Sequence, residues 1–141
     1  MPAMRIGFLA SHNGSSMRAV IAALRSGVLR GTAQVAISNN RESPALDFAR
    51  HESIEAFCIN EANSAPAEDA DRAIARTLDA HGVDLVVLSG YMRKIGPVTL
   101  QRYPTRILNI HPGPLPKFGG RGMYGMNVQK PCLPLARPSP A

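Results

Sequence analysis

The chain has 141 residues, 45% of them hydrophobic, with a mean hydropathy of -0.07, which suits one globular domain with a buried core. It has no run of about 18 uncharged apolar residues and no apolar stretch after Met1-Pro2-Ala3-Met4-Arg5, so neither a membrane span nor a secretory signal is expected and the expected location is the cytoplasm. The net charge is +6, but the basic residues are scattered, with no run longer than Arg93-Lys94, so a small phosphorylated substrate fits better than nucleic acid, and no nucleic-acid partner is expected.

Arg5–Ala10 reads as a buried first strand, and Ser11-His12-Asn13-Gly14-Ser15 supplies turn and cap residues after it. Met17, Val20, Ile21 and Leu24 recur at helical spacing, so an amphipathic helix follows and ends at Gly27. A second strand is predicted over Gln34–Ser38, a turn at Asn39-Asn40, a short helix opened by Pro44, and a third strand over Ala56–Ile59. A polar loop covers Glu61–Pro66. Ala70, Ile74 and Leu78 then mark one helical stripe that finishes near His81-Gly82.

Asp84–Ser89 is almost continuously apolar, as a central parallel strand covered on both faces requires. A short helix over Pro97–Arg102 leads into a last strand, Arg106–Ile110. Strands alternating with helices predict an α/β fold with a doubly wound, mostly parallel sheet. From Lys130 to Ala141 the prolines at 131, 134, 138 and 140 break the pattern, so an extended tail is expected there.

In such a sheet ligands collect beyond the carboxyl ends of the strands. Those ends carry Ser11–Ser16, Ser38–Asn40, Ser89–Arg93 and Asn109–His111. The first loop runs straight into a helix N-terminus, where free N–H groups and the positive dipole end suit a phosphate; the alternative is a plain cap turn without a ligand. Met92 and Ile95 are candidate apolar walls of a cleft, or plain core, and Arg93 is a candidate carboxylate partner. His51 and His81, near helix ends, are expected to act as dipole partners. Cys58 and Cys132 lack neighbours at ligand spacing, so no metal site and no disulfide are expected.

Asn109 and His111 stand two apart at a strand end, hence on one face, just before Pro112. An amide that donates to an oxyanion and an imidazole that moves a proton are the working parts of an acyl-transfer site; the alternative is a buried Asn and a core His closing a strand. Lys117–Gly125 holds four glycines within residues 119–125 and is either a close-approach lid or a surface loop.

In order and spacing, the Ser11–Met17, Ser38–Asn40 and Ser89–Arg93 segments and the run Asn-Ile-His-Pro-Gly-Pro-Leu-Pro at 109–116 resemble the phosphoribosylglycinamide formyltransferases, folate-dependent enzymes of purine synthesis. The resemblance covers Arg5–Gln129. It implies a Rossmann-like formyltransferase fold and direct transfer of the formyl group of 10-formyltetrahydrofolate, a co-substrate, to the amine of glycinamide ribonucleotide. Carried over by position, Asn109 donates to the tetrahedral oxyanion and His111 stabilises charge or moves the proton. Asn13, Gly14, Ser15 and Ser16 match the phosphate loop, and Met92, Arg93 and Ile95 border the folate site.

The family more often reads Ser-Gly-Asn-Gly-Ser-Asn in the first loop, so His12 and Ser16 are departures. Family members also continue with further strands and an Asp that assists the active-site His, and no matching segment follows Gln129. The expectation is therefore a formyltransferase portion over 1–129, a proline-rich tail over 130–141, a fold incomplete at its C-terminus, and impaired turnover. An edge left open by the missing strands would favour self-association. Competing readings are an inactive ligand-binding remnant, methionyl-tRNA formyltransferase and formyltetrahydrofolate deformylase, the last two of which usually carry an additional domain.

Overall fold

A computed structural model describes residues 3–62 and 67–110. His111, the glycine-rich 117–125 stretch and the proline-rich segment from 130 lie outside the described residues. The elements run β1 (Met4–Ala10), α1 (Ser15–Ser26), β2 (Gly31–Ser38), α2 (Pro44–His51), β3 (Glu55–Cys58), α3 (Ala67–Ala80), β4 (Leu85–Ser89), α4 (Pro97–Arg102) and β5 (Ile107–Asn109). Every predicted helix and strand among the described residues is present. The main difference is β2, which starts three residues before the predicted Gln34 because Met4 and Arg5 pair with Gly31 and Thr32. Gly31 is required there, since an added Cβ would lie 2.3 Å from the Met4 carbonyl oxygen.

The five strands are parallel, in the order β3-β2-β1-β4-β5. The chain winds outward from β1 to β3 and then returns to the other side of β1, which puts the topological switch between β1 and β4. Residues alternate across β1: Ile6, Phe8 and Ala10 face α1 and α2, packing with Met17, Ile21, Ala45 and Ala49. Leu9 faces the other layer, built on Ile74 and Leu78 of α3 with Val86 and Leu88 of β4. Burial on both faces explains why β1 and β4 read as nearly unbroken apolar runs. Gly7 lets α3 approach: a Cβ there would stand 2.8 Å from the Leu78 side chain and 2.9 Å from that of Val83.

Both predicted dipole partners sit at helix ends. His51 is the last residue of α2, and His81 follows α3 with its Nδ1 2.8 Å from the Thr77 carbonyl oxygen. The six-residue α4 is too short to hold itself and is fastened at both ends. Asp71 of α3 accepts hydrogen bonds from its first-turn amides, and the Tyr103 ring is buried in the core just after its last turn.

Candidate functional site

The β1–α1 turn is the centre of the carboxyl edge. Gly14 caps α1 with φ 70° and ψ 45°, a left-handed conformation that turns successive backbone N–H groups to one side. Arg18 N–H, the first to close the helix, donates to the Gly14 carbonyl at 2.8 Å, and Met17 N–H donates to Ser89 Oγ at 3.0 Å. The amides of Asn13, Gly14, Ser15 and Ser16 have no hydrogen-bond acceptor among the described residues. With no acidic side chain in the first turn of α1, these amides and the helix dipole make a cradle whose chemistry suits an anion.

Three buried serines join this cradle to its neighbours. Ser11 Oγ donates to Asn39 Oδ1 at 2.5 Å and accepts from Met92 N–H at 2.7 Å. Ser89 Oγ receives the Met17 amide, and Ser16 Oγ donates to the Ile110 carbonyl at 2.8 Å. From the other flank, the His12 carbonyl accepts from Ala45 N–H at 3.0 Å and from Ser43 Oγ at 2.5 Å, which pins the turn to the start of α2.

The predicted site residues are therefore brought to one edge. Asn13–Ser16 form the cradle, Met92 is tied to it through Ser11, and Asn109 precedes the carbonyl held by Ser16. Asn109 is exposed and pairs in register with Leu88, which places it on the α3/α4 face of the sheet with Ile107. The Met92 side chain is 69% exposed, and its backbone N–H is held by Ser11, which precedes the cradle. Ile95 instead packs partly buried against the α3/α4 core. Arg93 pairs with Glu61 at 3.1 Å on the surface, a contact worth at most about 1 kcal/mol and easily exchanged for a ligand.

Among the described residues no group of three or more His, Cys, Asp or Glu side chains is arranged to hold a metal ion, and no helix is long and apolar enough to cross a membrane. Sequence reasoning placed Ser11, Asn39 and Ser89 at the edge but missed their roles as braces. The usable signal was a serine directly after or at the end of a buried strand, where the hydroxyl must find a partner.

Two consequences are testable. Gly14→Ala forces a left-handed alanine whose Cβ sits 3.0 Å from Ala45 Cβ, so denaturant unfolding is expected to show a loss of about 1–2 kcal/mol, with Gly14→Asn milder. Burial pushes the Tyr91 phenol, on the turn set by Gly90 at φ 65°, from 10.0 up to about 12, with Arg93 opposing the shift. The unfolded chain ionises first, so stability falls as pH rises from 10 towards 12, by about 2–3 kcal/mol in all. Alkaline unfolding of Tyr91→Phe should lose that part of the slope.

The fold is shared with known proteins. Phosphoribosylglycinamide formyltransferase of Escherichia coli (strain K12) is 35% identical over 117 residues, covering 83% of this chain and 55% of that protein. The enzyme of the same name from Mycobacterium tuberculosis (strain H37Rv) is 40% identical over 118 residues, covering 82% and 53%. Among solved structures, glycinamide ribonucleotide transformylase 1 of Symbiobacterium toebii superposes with a TM-score of 0.75 at 39% identity, covering 82% of this chain and 55% of that one. The chain spans about half the length of the curated relatives it matches. Residues 4–131 match the formyl transferase family throughout, and the chain belongs to that family.

Proposed function

We propose that this chain is the nucleotide-binding and formyl-transferring part of a glycinamide ribonucleotide formyltransferase, with 10-formyltetrahydrofolate as donor. The single observation that carries this reading is the Ser16 hydroxyl bond to Ile110, which ties a cradle of four amides, without an acceptor among the described residues, to the strand end bearing Asn109. A phosphate in the cradle leaves the ribose and its amine to extend towards Asn109. Met92 and Arg93, braced through Ser11, flank the donor side, with the apolar Met92 side chain against the folate ring system and Arg93 facing its carboxylate end. Ile95 then supports that loop from the core side rather than touching the donor.

The amine nitrogen attacks the formyl carbon, and the carbonyl electron pair moves onto oxygen, where the Asn109 amide donates to it. The tetrahedral adduct collapses by breaking the bond to N10 of the folate. The proton lost by the amine reaches the departing N10 through His111, two residues along the chain and outside the described residues. The products are the formylated amine and tetrahydrofolate, and no metal takes part in this scheme. Both ligands are small molecules, so the partners inferred are substrates rather than nucleic acid.

The test supplies purified chain and 10-formyltetrahydrofolate with glycinamide ribonucleotide, formyl-free tRNA acceptor or water alone. Formyl transfer to the ribonucleotide alone is the expected result. Calorimetry with glycinamide ribonucleotide and a folate analogue separates the remnant reading, which gives binding without turnover. Absence of binding by either ligand would sink the proposal.

A further inference from the structure

We propose that Ser11 is a positioning residue that couples the two halves of the site, so that filling the phosphate cradle tightens the donor-side loop. The inference rests on the functional reading above for its ligands, though not for its geometry. Ser11 is 2% exposed and directly precedes the turn that forms the cradle. Its hydroxyl stands in a directional series: the Met92 amide donates to Ser11 Oγ, and Ser11 Oγ donates to Asn39 Oδ1. A hydroxyl has one proton, so with that proton committed to Asn39 the oxygen is left to accept from Met92.

The series therefore joins the loops after β1, β2 and β4 through one buried atom. It is reinforced on the main chain, where Asn40 Nδ2 donates to the Ser11 carbonyl at 3.4 Å and Asn60 Nδ2 donates to the Asn39 carbonyl at 2.8 Å. Among the described residues the largely exposed Met92 side chain makes no polar contact, and the next residue, Arg93, holds a surface ion pair. The Ser11 hydroxyl is thus the polar link that sets where the backbone of the Met92–Arg93 loop lies relative to the cradle. An anion drawn into the amides of residues 13–16 restrains the turn that begins at Ser11, and the restraint passes to Met92 as a better-held backbone. Two ligands that each order the same linked loops bind with positive coupling.

The experiment has two arms. In the first, amide hydrogen exchange of the ligand-free chain is followed in Ser11→Ala. Exchange at Met92 should speed up about tenfold or more, as expected for losing one buried hydrogen bond, while Phe8 and Val87 in the core keep their protection. In the second, calorimetry measures the affinity for a folate analogue with and without saturating glycinamide ribonucleotide. The native chain should show a gain of about fivefold or more, falling towards unity in Ser11→Ala, with Ser11→Thr restoring part of it.

Unchanged exchange at Met92, or a coupling ratio that survives in Ser11→Ala, overturns the proposal. If the native chain binds neither ligand, the functional reading has failed and the exchange arm alone decides the role of Ser11. If Ser11→Ala loses core protection, Asn39→Ala tests the other end of the series: it should also raise Met92 exchange, because the hydroxyl is then free to rotate away, and no change there overturns the link.

Discussion

Asn109→Ala should lower the formyl-transfer rate of this chain about 10²–10³-fold, the usual cost of removing one donor to a developing oxyanion. The residue ends β5 and is exposed, so the substitution leaves no cavity, and thermal unfolding should stay within about 0.5 kcal/mol of the native value. Binding should also be spared if the proposed role holds, because the amide would then act on charge that exists only in the adduct. Calorimetric affinity for glycinamide ribonucleotide is therefore expected to change less than about threefold. A matching fall in affinity would instead make Asn109 a substrate anchor. Asn109→Asp sharpens the test: a carboxylate at that position repels the oxyanion and should be at least as slow as alanine, although it is nearly the same size.

Most of the frame could be read from residue order, because the doubly wound fold depends on local signals. Continuous apolar runs marked β1 and β4, and Pro44 announced α2 by its first-turn chemistry, while the Ser43 hydroxyl that caps it, accepting from Ala45 N–H at 3.3 Å, came only with the structure. The left-handed Gly14 and Gly27 fell where a turn and a helix end were expected. The edge at which the loops meet was also legible, since alternating strands and helices make the strands parallel and put their carboxyl ends on one side.

What stayed hidden were contacts between residues far apart in sequence. Ser11 meets Met92 81 residues away, Ser16 meets Ile110 94 residues away, and Asp71 meets Thr99 across 28. No periodicity encodes such pairs, because each depends on how two loops or helices finally pack. The exposure of Met92 and the partial burial of Ile95 were open for the same reason: apolar character alone does not distinguish a core residue from a ligand wall. The family motifs were legible, but the contacts that brace their described residues were not.

Asp71→Ala should cost about 2–4 kcal/mol in urea unfolding, because it strands several donors inside the protein at once. Asp71 is buried on α3. Its Oδ2 accepts from Val98 N–H at 2.8 Å, and its Oδ1 accepts from Thr99 N–H at 3.0 Å and Thr99 Oγ1 at 2.7 Å. Thr99 is 1% exposed, so water cannot replace the lost acceptor. Gly96, at the N-cap of α4, has no side chain to do this work and must have none: a Cβ there would lie 2.3 Å from Asp71 Oδ2 and 2.4 Å from its Cγ. Gly96→Ala is thus expected to push the carboxylate off its donors and to lose a comparable amount of stability. The two losses should not add, since removing the carboxylate also removes what the new methyl strikes. A double variant no less stable than Asp71→Ala alone identifies the carboxylate as the shared cause, whereas additive losses would mean that Gly96 is required for its backbone and not for the space it leaves. Because α4 begins where the Met92–Arg93 loop ends, the Asp71 variant should also raise amide exchange through that loop before the core of the sheet gives way.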